Sequence, residues 1–163
     1  MIIIYESKTG FTQRYAEMLA DQTGMKMYST KQLSQVNKQE NILFLGWMRI
    51  GRIQGLKKLQ DYRVKAVCGS GTARTAEPSA EAIIERNHLG TTPFFYLRGG
   101  SIPLKQMKGF DSIMMRLFVM GLKKRKDSDE QLNEAIDIIE HGFDGVTLEN
   151  LTPVIEWWKA QSV

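Results

Sequence analysis

The chain is short of cysteine, histidine and long apolar runs, and each shortage removes a class of function. Cys68 is the single cysteine in 163 residues, so neither an internal disulfide nor a cysteine-built metal cluster can form. The two histidines, His88 and His141, are far apart in sequence, and neither has a partner at ligand spacing, so no metal site is expected. No apolar stretch approaches the roughly 18 to 20 residues that cross a bilayer, and the opening Met1-Ile2-Ile3-Ile4-Tyr5 carries no basic leader. A cytoplasmic chain in a reducing compartment is the expectation. No two carboxylates stand at a spacing that would support acid/base hydrolysis. Acids are few in the segment 105–126, where Lys105, Lys108, Arg116, Lys123, Lys124, Arg125 and Lys126 face only Asp111. That segment carries a net +6 in a chain of +4, which leaves −2 for the remainder. The basicity is local, and a local patch points to an anionic partner.

What is present suits one soluble globular domain over residues 1–163. Hydrophobic residues make up 42% and charged residues 25%, inside the ordinary range. Residues 1–5 form a continuous apolar run of β-favouring type, as in a strand buried on both faces. Tyr15, Ala16, Leu19 and Ala20 then recur at helical spacing before Gly24, which predicts a helix over 11–23 ending on a glycine. Further strands are predicted at 25–28, at 42–45 ending on Gly46, at 64–68 broken by Gly69-Ser70-Gly71, and at 93–97 closed by Gly99-Gly100. Short helices are predicted over 56–62 and after Pro78, whose fixed φ suits a first helical turn. Three more helical pieces are predicted at 104–121, 128–140 and 148–160, the middle one opening on a Ser128/Gln131 capping box. Trp157 and Trp158 anchor the last of these to the sheet, and Cys68 is read as a small buried residue. Strands alternating with helices imply an α/β three-layer sandwich with a five-stranded parallel sheet of order 2-1-3-4-5.

The loop between the first strand and the first helix carries the chemistry. Ser7, Thr9 and Thr12 offer hydroxyl donors, Gly10 permits a tight turn, and Lys8 and Phe11 complete the segment. Backbone amides at a helix N-terminus converge on an anion and bring a favourable dipole, so the loop reads as a phosphate cradle. The plainer reading is a turn with a capped helix. A nucleoside triphosphate loop needs a second glycine followed by Lys and Ser or Thr, and the dinucleotide pattern needs three spaced glycines; neither stands here.

Residues 5–12, Tyr-Glu-Ser-Lys-Thr-Gly-Phe-Thr, resemble the FMN phosphate loop of flavodoxins, Ser/Thr-any-Thr-Gly-any-Thr, at all four specified positions. The order of strands and breaks follows that family across roughly the whole chain. The likeness is nearest to the branch that includes menaquinone-dependent protoporphyrinogen oxidases, to which Phe94-Phe95-Tyr96-Leu97 and the Met-rich Ile113-Met114-Met115-Arg116-Leu117-Phe118 are similar. The resemblance implies an FMN-binding redox protein with a flavodoxin-like sandwich fold. It implies that Trp47, Met48, Arg49, Ile50 and Gly51 after the third strand flank one side of the flavin ring. Gly69, Ser70, Gly71, Thr72, Ala73 and Arg74 after the fourth would flank the other, with Trp47 stacking and the Gly51 region facing N5. Three functions stay open: an electron carrier serving a redox partner protein, an enzyme acting on a protoporphyrinogen-type tetrapyrrole or a quinone, and a flavodoxin-like domain without cofactor. Carriers of the family are acidic around the flavin, whereas Lys8, Arg49, Arg52 and Arg74 surround this site.

The basic segment has two open readings as well. Met107, Phe110, Met114, Leu117, Phe118 and Gly121 recur at spacings of three and four, widened by Met115, Val119 and Leu122. A core-facing helix with cations at its C-terminal end is one reading. Peripheral contact with an anionic membrane, or with an apolar anionic ligand, is the other. Nucleic acid is not expected, because no helix-turn-helix or aromatic-interleaved basic surface accompanies the run.

Overall fold

The computed structural model describes residues 1–124 and 130–161, so Arg125, Lys126 and the Ser128 end of the expected capping box lie outside the described residues. Chain contacts divide it into two units, residues 1–99 with 145 onward, and residues 100–144.

In the first unit the order is β1 (Ile2–Glu6), α1 (Phe11–Thr23), β2 (Met27–Ser29), β3 (Asn41–Arg49), β4 (Arg52–Ile53), β5 (Arg63–Gly71), α2 (Ala80–Arg86) and β6 (Phe94–Arg98). The second unit holds β7 (Gly100–Ser101), α3 (Gly109–Lys123), α4 (Glu130–His141) and β8 (Phe143–Asp144), after which α5 (Thr152–Ala160) returns to the first.

The sheet runs β2-β1-β3-β5-β6, and every pair along that path is parallel. Setting aside β4, which pairs antiparallel with the end of β3, this is the expected 2-1-3-4-5 order of a flavodoxin-like sandwich. Residue alternation sends side chains to two faces. On one face Ile3, Leu43, Leu45, Ala66, Cys68 and Leu97 pack with Tyr15, Ala16 and Leu19 of α1 and Val154 of α5. On the other, Ile2, Ile4, Ile42, Phe44 and Val67 pack with Ile83 of α2 and with Leu59 and Leu89. Burial pushes the Cys68 thiol far up, and Trp157 meets Phe95 at 6.2 Å between ring centroids, so the small buried thiol and the anchored last helix both stand as read.

Four local expectations change. Gly69-Ser70-Gly71 continues β5 instead of ending it. A Cβ on Gly69 would sit 2.5 Å from Met48 Sδ, and one on Gly71 2.7 Å from Tyr96 Oη, so these glycines make room for neighbours within a strand. Residues 46–49 likewise belong to β3. Pro78 precedes the helix, because Ser79 is the N-cap of α2 and its side chain accepts from the Ala82 amide. Only single 3-10 turns form at Leu56–Leu59 and Leu104–Gln106, the second being separated from α3.

Within the second unit, β7 and β8 pair antiparallel, and Lys123 of α3 bonds Glu140 of α4. The buried residues of α3 are Ser112 and Val119. No helix among the described residues is long and apolar enough to cross a membrane.

Candidate functional site

Because β1, β3, β5 and β6 are parallel, the segments that follow them collect at one edge of the sheet. That edge, outside the carboxyl ends of the strands, is where open α/β sheets bind ligands.

Ser7, Lys8, Thr9 and Gly10 form the turn after β1, and Phe11 and Thr12 open α1. Gly10 is the helix N-cap at φ +93° and supplies no side-chain acceptor, a conformation that glycine alone adopts freely. Its amide donates to Ser7 Oγ at 3.1 Å, which ties the turn, and the first helical bond runs from Arg14 N to Gly10 O. The amides of Phe11, Thr12 and Gln13 thus precede the first helical bond. No acidic residue occupies the first turn of α1 and none lies in the segment 7–12. Hydroxyls, amides and a dipole end with no carboxylate among residues 7–12 form a donor set that fits a phosphate, with Arg14 and Glu17 of the next turn lining the same cavity.

Lys8 leans across to β3, its Nζ lying 5.1 Å from the centroid of the Trp47 ring, within cation–π range. The loop after β1 and the end of β3 therefore meet through a cation and an aromatic plane. Met48, the next residue, turns to the opposite face of the sheet, into the cluster around Phe44 and Ile53. Arg49 and Arg52 stand opposite each other across the β3–β4 hairpin, which concentrates positive charge at its end.

The hairpin tip is Ile50-Gly51, with φ of +49° and +68°. Two consecutive left-handed residues make the tight turn favoured between twisted strands, but a β-branched residue is strained in it. Ile50 is also 83% exposed. Side chains from the end of α2 hold this tip. Arg86 Nη1 donates to Ile50 O at 2.7 Å and Asn87 Nδ2 to Gly51 O at 2.8 Å, while Ile53 N donates to Asn87 Oδ1 at 2.8 Å.

Gly69, Ser70 and Gly71 are the last residues of β5, with Ser70 paired to Trp47. Thr72, Ala73 and Arg74 follow in irregular backbone. Tyr96 of β6 donates its hydroxyl to Ala73 O at 2.7 Å and so pins this segment. Burial first, and the Glu77 charge second, push the Tyr96 hydroxyl up to about 12. It therefore remains a neutral donor.

Two clusters were invisible in the sequence. Tyr15, read there as one apolar position of α1, is fully buried and donates to Arg98 O at 2.5 Å while accepting from Asn150 Nδ2 at 2.6 Å. Asn150 also donates to Gly145 O at 2.9 Å, so α1 is bonded to the end of β6 and to the returning chain. At the end of β1, Glu6 accepts from Lys58 Nζ at 2.8 Å and from the Thr30 hydroxyl. Burial raises the Glu6 carboxyl, but those two hydrogen bonds and the charges of Lys58 and Lys31 outweigh it and hold it below its ordinary value. The folded chain then binds this proton less readily than the unfolded chain. The stabilisation is present above the ordinary carboxylate range and is lost as pH falls through the lower folded value. Glu6→Gln should flatten the acid limb of a plot of unfolding free energy against pH; an unaltered limb would exclude Glu6 as its source.

A family model described as "Flavodoxin domain" matches residues 2–129. No curated protein sequence matches the chain. Among solved structures, rubredoxin oxygen:oxidoreductase from the anaerobe Desulfovibrio gigas aligns with a TM-score of 0.40 at 13% identity, over 85% of this chain and 34% of that one. This chain thus spans about a third of that protein's length.

Proposed function

With residues 2–129 matched, the chain belongs to the flavodoxin-domain family, and from that membership we propose that it binds FMN and passes electrons through it. The observation that carries the reading is the carboxylate-free turn at Ser7, Lys8, Thr9, Gly10, Phe11 and Thr12, opening a helix whose glycine N-cap supplies no side-chain acceptor. These residues would hold the phosphate. Trp47 and the Ile50-Gly51 tip on one side, and Gly71, Thr72, Ala73 and Arg74 on the other, would border the ring. Bound there, the flavin supplies the redox chemistry, and the chain supplies its orientation and electrostatic surroundings. Lys8, Arg49 and Arg52 make those surroundings cationic, which favours an anionic substrate or an acidic partner over a basic one. That same charge is the observation behind a second reading, an oxidoreductase acting on an anionic tetrapyrrole or coupled to a quinone. Turnover with protoporphyrinogen and menaquinone distinguishes the enzyme from a carrier.

Titration of the chain with FMN, followed by flavin fluorescence, tests the cofactor itself. Saturable binding at micromolar FMN or below is expected, with riboflavin, which lacks the phosphate, binding far more weakly. Thr12→Val keeps the side-chain shape at this buried position but removes the hydroxyl, and should weaken FMN about tenfold or more, the worth of one hydrogen bond to a charged group. Absence of binding at micromolar FMN would favour a domain without cofactor.

A further inference from the structure

Helix α3 departs from the core-facing reading of its apolar residues. Phe110, Ile113, Met114, Leu117 and Phe118 are all at least half exposed, Phe110 at 69%. At 3.6 residues per turn they fall on one side of the helix, opposite Ser112 and Val119, its buried residues. A stripe of this size left open to water marks an interaction surface.

The charges around the stripe say what covers it. Lys105 and Lys108 precede the first turn, Arg116 lies on the flank and Lys124 follows the last turn, all exposed, while Lys123 is paired with Glu140 of α4. On the helix itself the one carboxylate is Asp111. A second copy laid on this stripe would bring the same cations against one another, and a neutral apolar partner would leave them unmatched. A lipid surface with anionic headgroups satisfies both parts, since acyl chains take the stripe and phosphates take its cationic frame.

We propose that α3 docks the protein on an anionic membrane surface, lying in the interface with Phe110, Ile113, Met114, Leu117 and Phe118 inserted and Lys105, Lys108, Arg116 and Lys124 on lipid phosphates. The proposal concerns the second unit alone and does not depend on the flavin.

Co-sedimentation of the full chain with phosphatidylcholine vesicles, with and without phosphatidylglycerol, tests it. The chain should partition at least about tenfold more strongly onto the anionic vesicles and release as salt rises. The exposed pair Leu117→Ser/Phe118→Ser, and separately Lys108→Gln/Lys124→Gln, should each reduce partitioning about tenfold with an unchanged circular dichroism spectrum. Equal partitioning onto neutral vesicles, no partitioning at all, or variants that bind like the parent chain would overturn the proposal. So would a dimer in lipid-free buffer that Leu117→Ser/Phe118→Ser converts to monomer, which would assign the stripe to a second copy. FMN titration of the same variants should be unaltered, which separates this result from the fate of the flavin reading.

Discussion

Replacing Asn87 by alanine should destabilise the protein by about 2–4 kcal/mol, more than a substitution outside the two cores ordinarily costs. One amide side chain serves three backbone groups. Its Nδ2 donates to Gly51 O and to Ile83 O, each at 2.8 Å, and its Oδ1 accepts from Ile53 N at 2.8 Å. Ile53 is 5% exposed, so its amide would lose its acceptor in a place with little access to water, and that desolvation adds to the lost bonds. The functional consequence follows from the geometry of the tip. Ile50 at φ +49° does not hold that conformation by preference, and the bonds from Asn87 and Arg86 hold the turn around it. Without Asn87 the Ile50-Gly51 segment should relax, and FMN affinity should fall along with stability. Urea unfolding measures the first effect and flavin titration the second. A loss below about 0.5 kcal/mol, the range of ordinary surface changes, would mean that solvent replaces the clamp.

The parts of the fold that could be read in the sequence are those encoded by local pattern. The apolar run at Ile2, Ile3 and Ile4 announces a strand buried on both faces, and the spacing of Tyr15, Ala16 and Leu19 announces the helix that covers it. Their alternation along the chain gives the parallel order. The turn at Ser7, Thr9 and Gly10 between β1 and α1 is legible for the same reason, since it lies within a few consecutive residues. What was not legible depends on neighbours distant in sequence. Gly69 and Gly71 look like strand breakers until Met48, Phe94 and Tyr96 are placed beside them. The β3–β4 hairpin has no conventional turn pair, because Ile50 occupies a position that Asn or Gly would ordinarily take. Its supports, Arg86 and Asn87, lie more than thirty residues further on. Helix α3 shows a third kind of limit. Its periodicity reveals an apolar face, but periodicity does not say whether protein, lipid or water meets that face.

Close approach at the centre of the sheet leads to the last expectation. Gly46 lies in β3 between Glu6 of β1 and Gly69 of β5, one residue before Trp47. A methyl group there would lie 2.5 Å from Gln54 O, 2.6 Å from Ile53 Cγ2 and 2.9 Å from Phe44 Cε1. The nearest of these atoms is backbone, and Gln54 is itself held by the hydrogen bond its backbone N–H donates to Trp47 O at 2.9 Å, so rotation of a side chain cannot relieve the contact. The strand after the hairpin must move outward. Overpacking of this kind costs about 1–3 kcal/mol, and because the displaced backbone pairs with β3 at Met48 and Arg49, the shift reaches the tip that borders the proposed flavin site. Gly46→Ala should therefore lower the urea midpoint with little change in m-value and weaken FMN in the same protein. Gly10→Ala provides the contrast. Beyond its chain neighbours no atom lies within 4 Å of its added Cβ, so its effect should come from backbone strain at φ +93° alone and should fall on the proposed phosphate turn, leaving the hairpin undisturbed. If Gly46→Ala unfolded at the parent midpoint and bound FMN normally, the β3–β4 hairpin would be able to shift freely, and its placement by packing from beneath would be refuted.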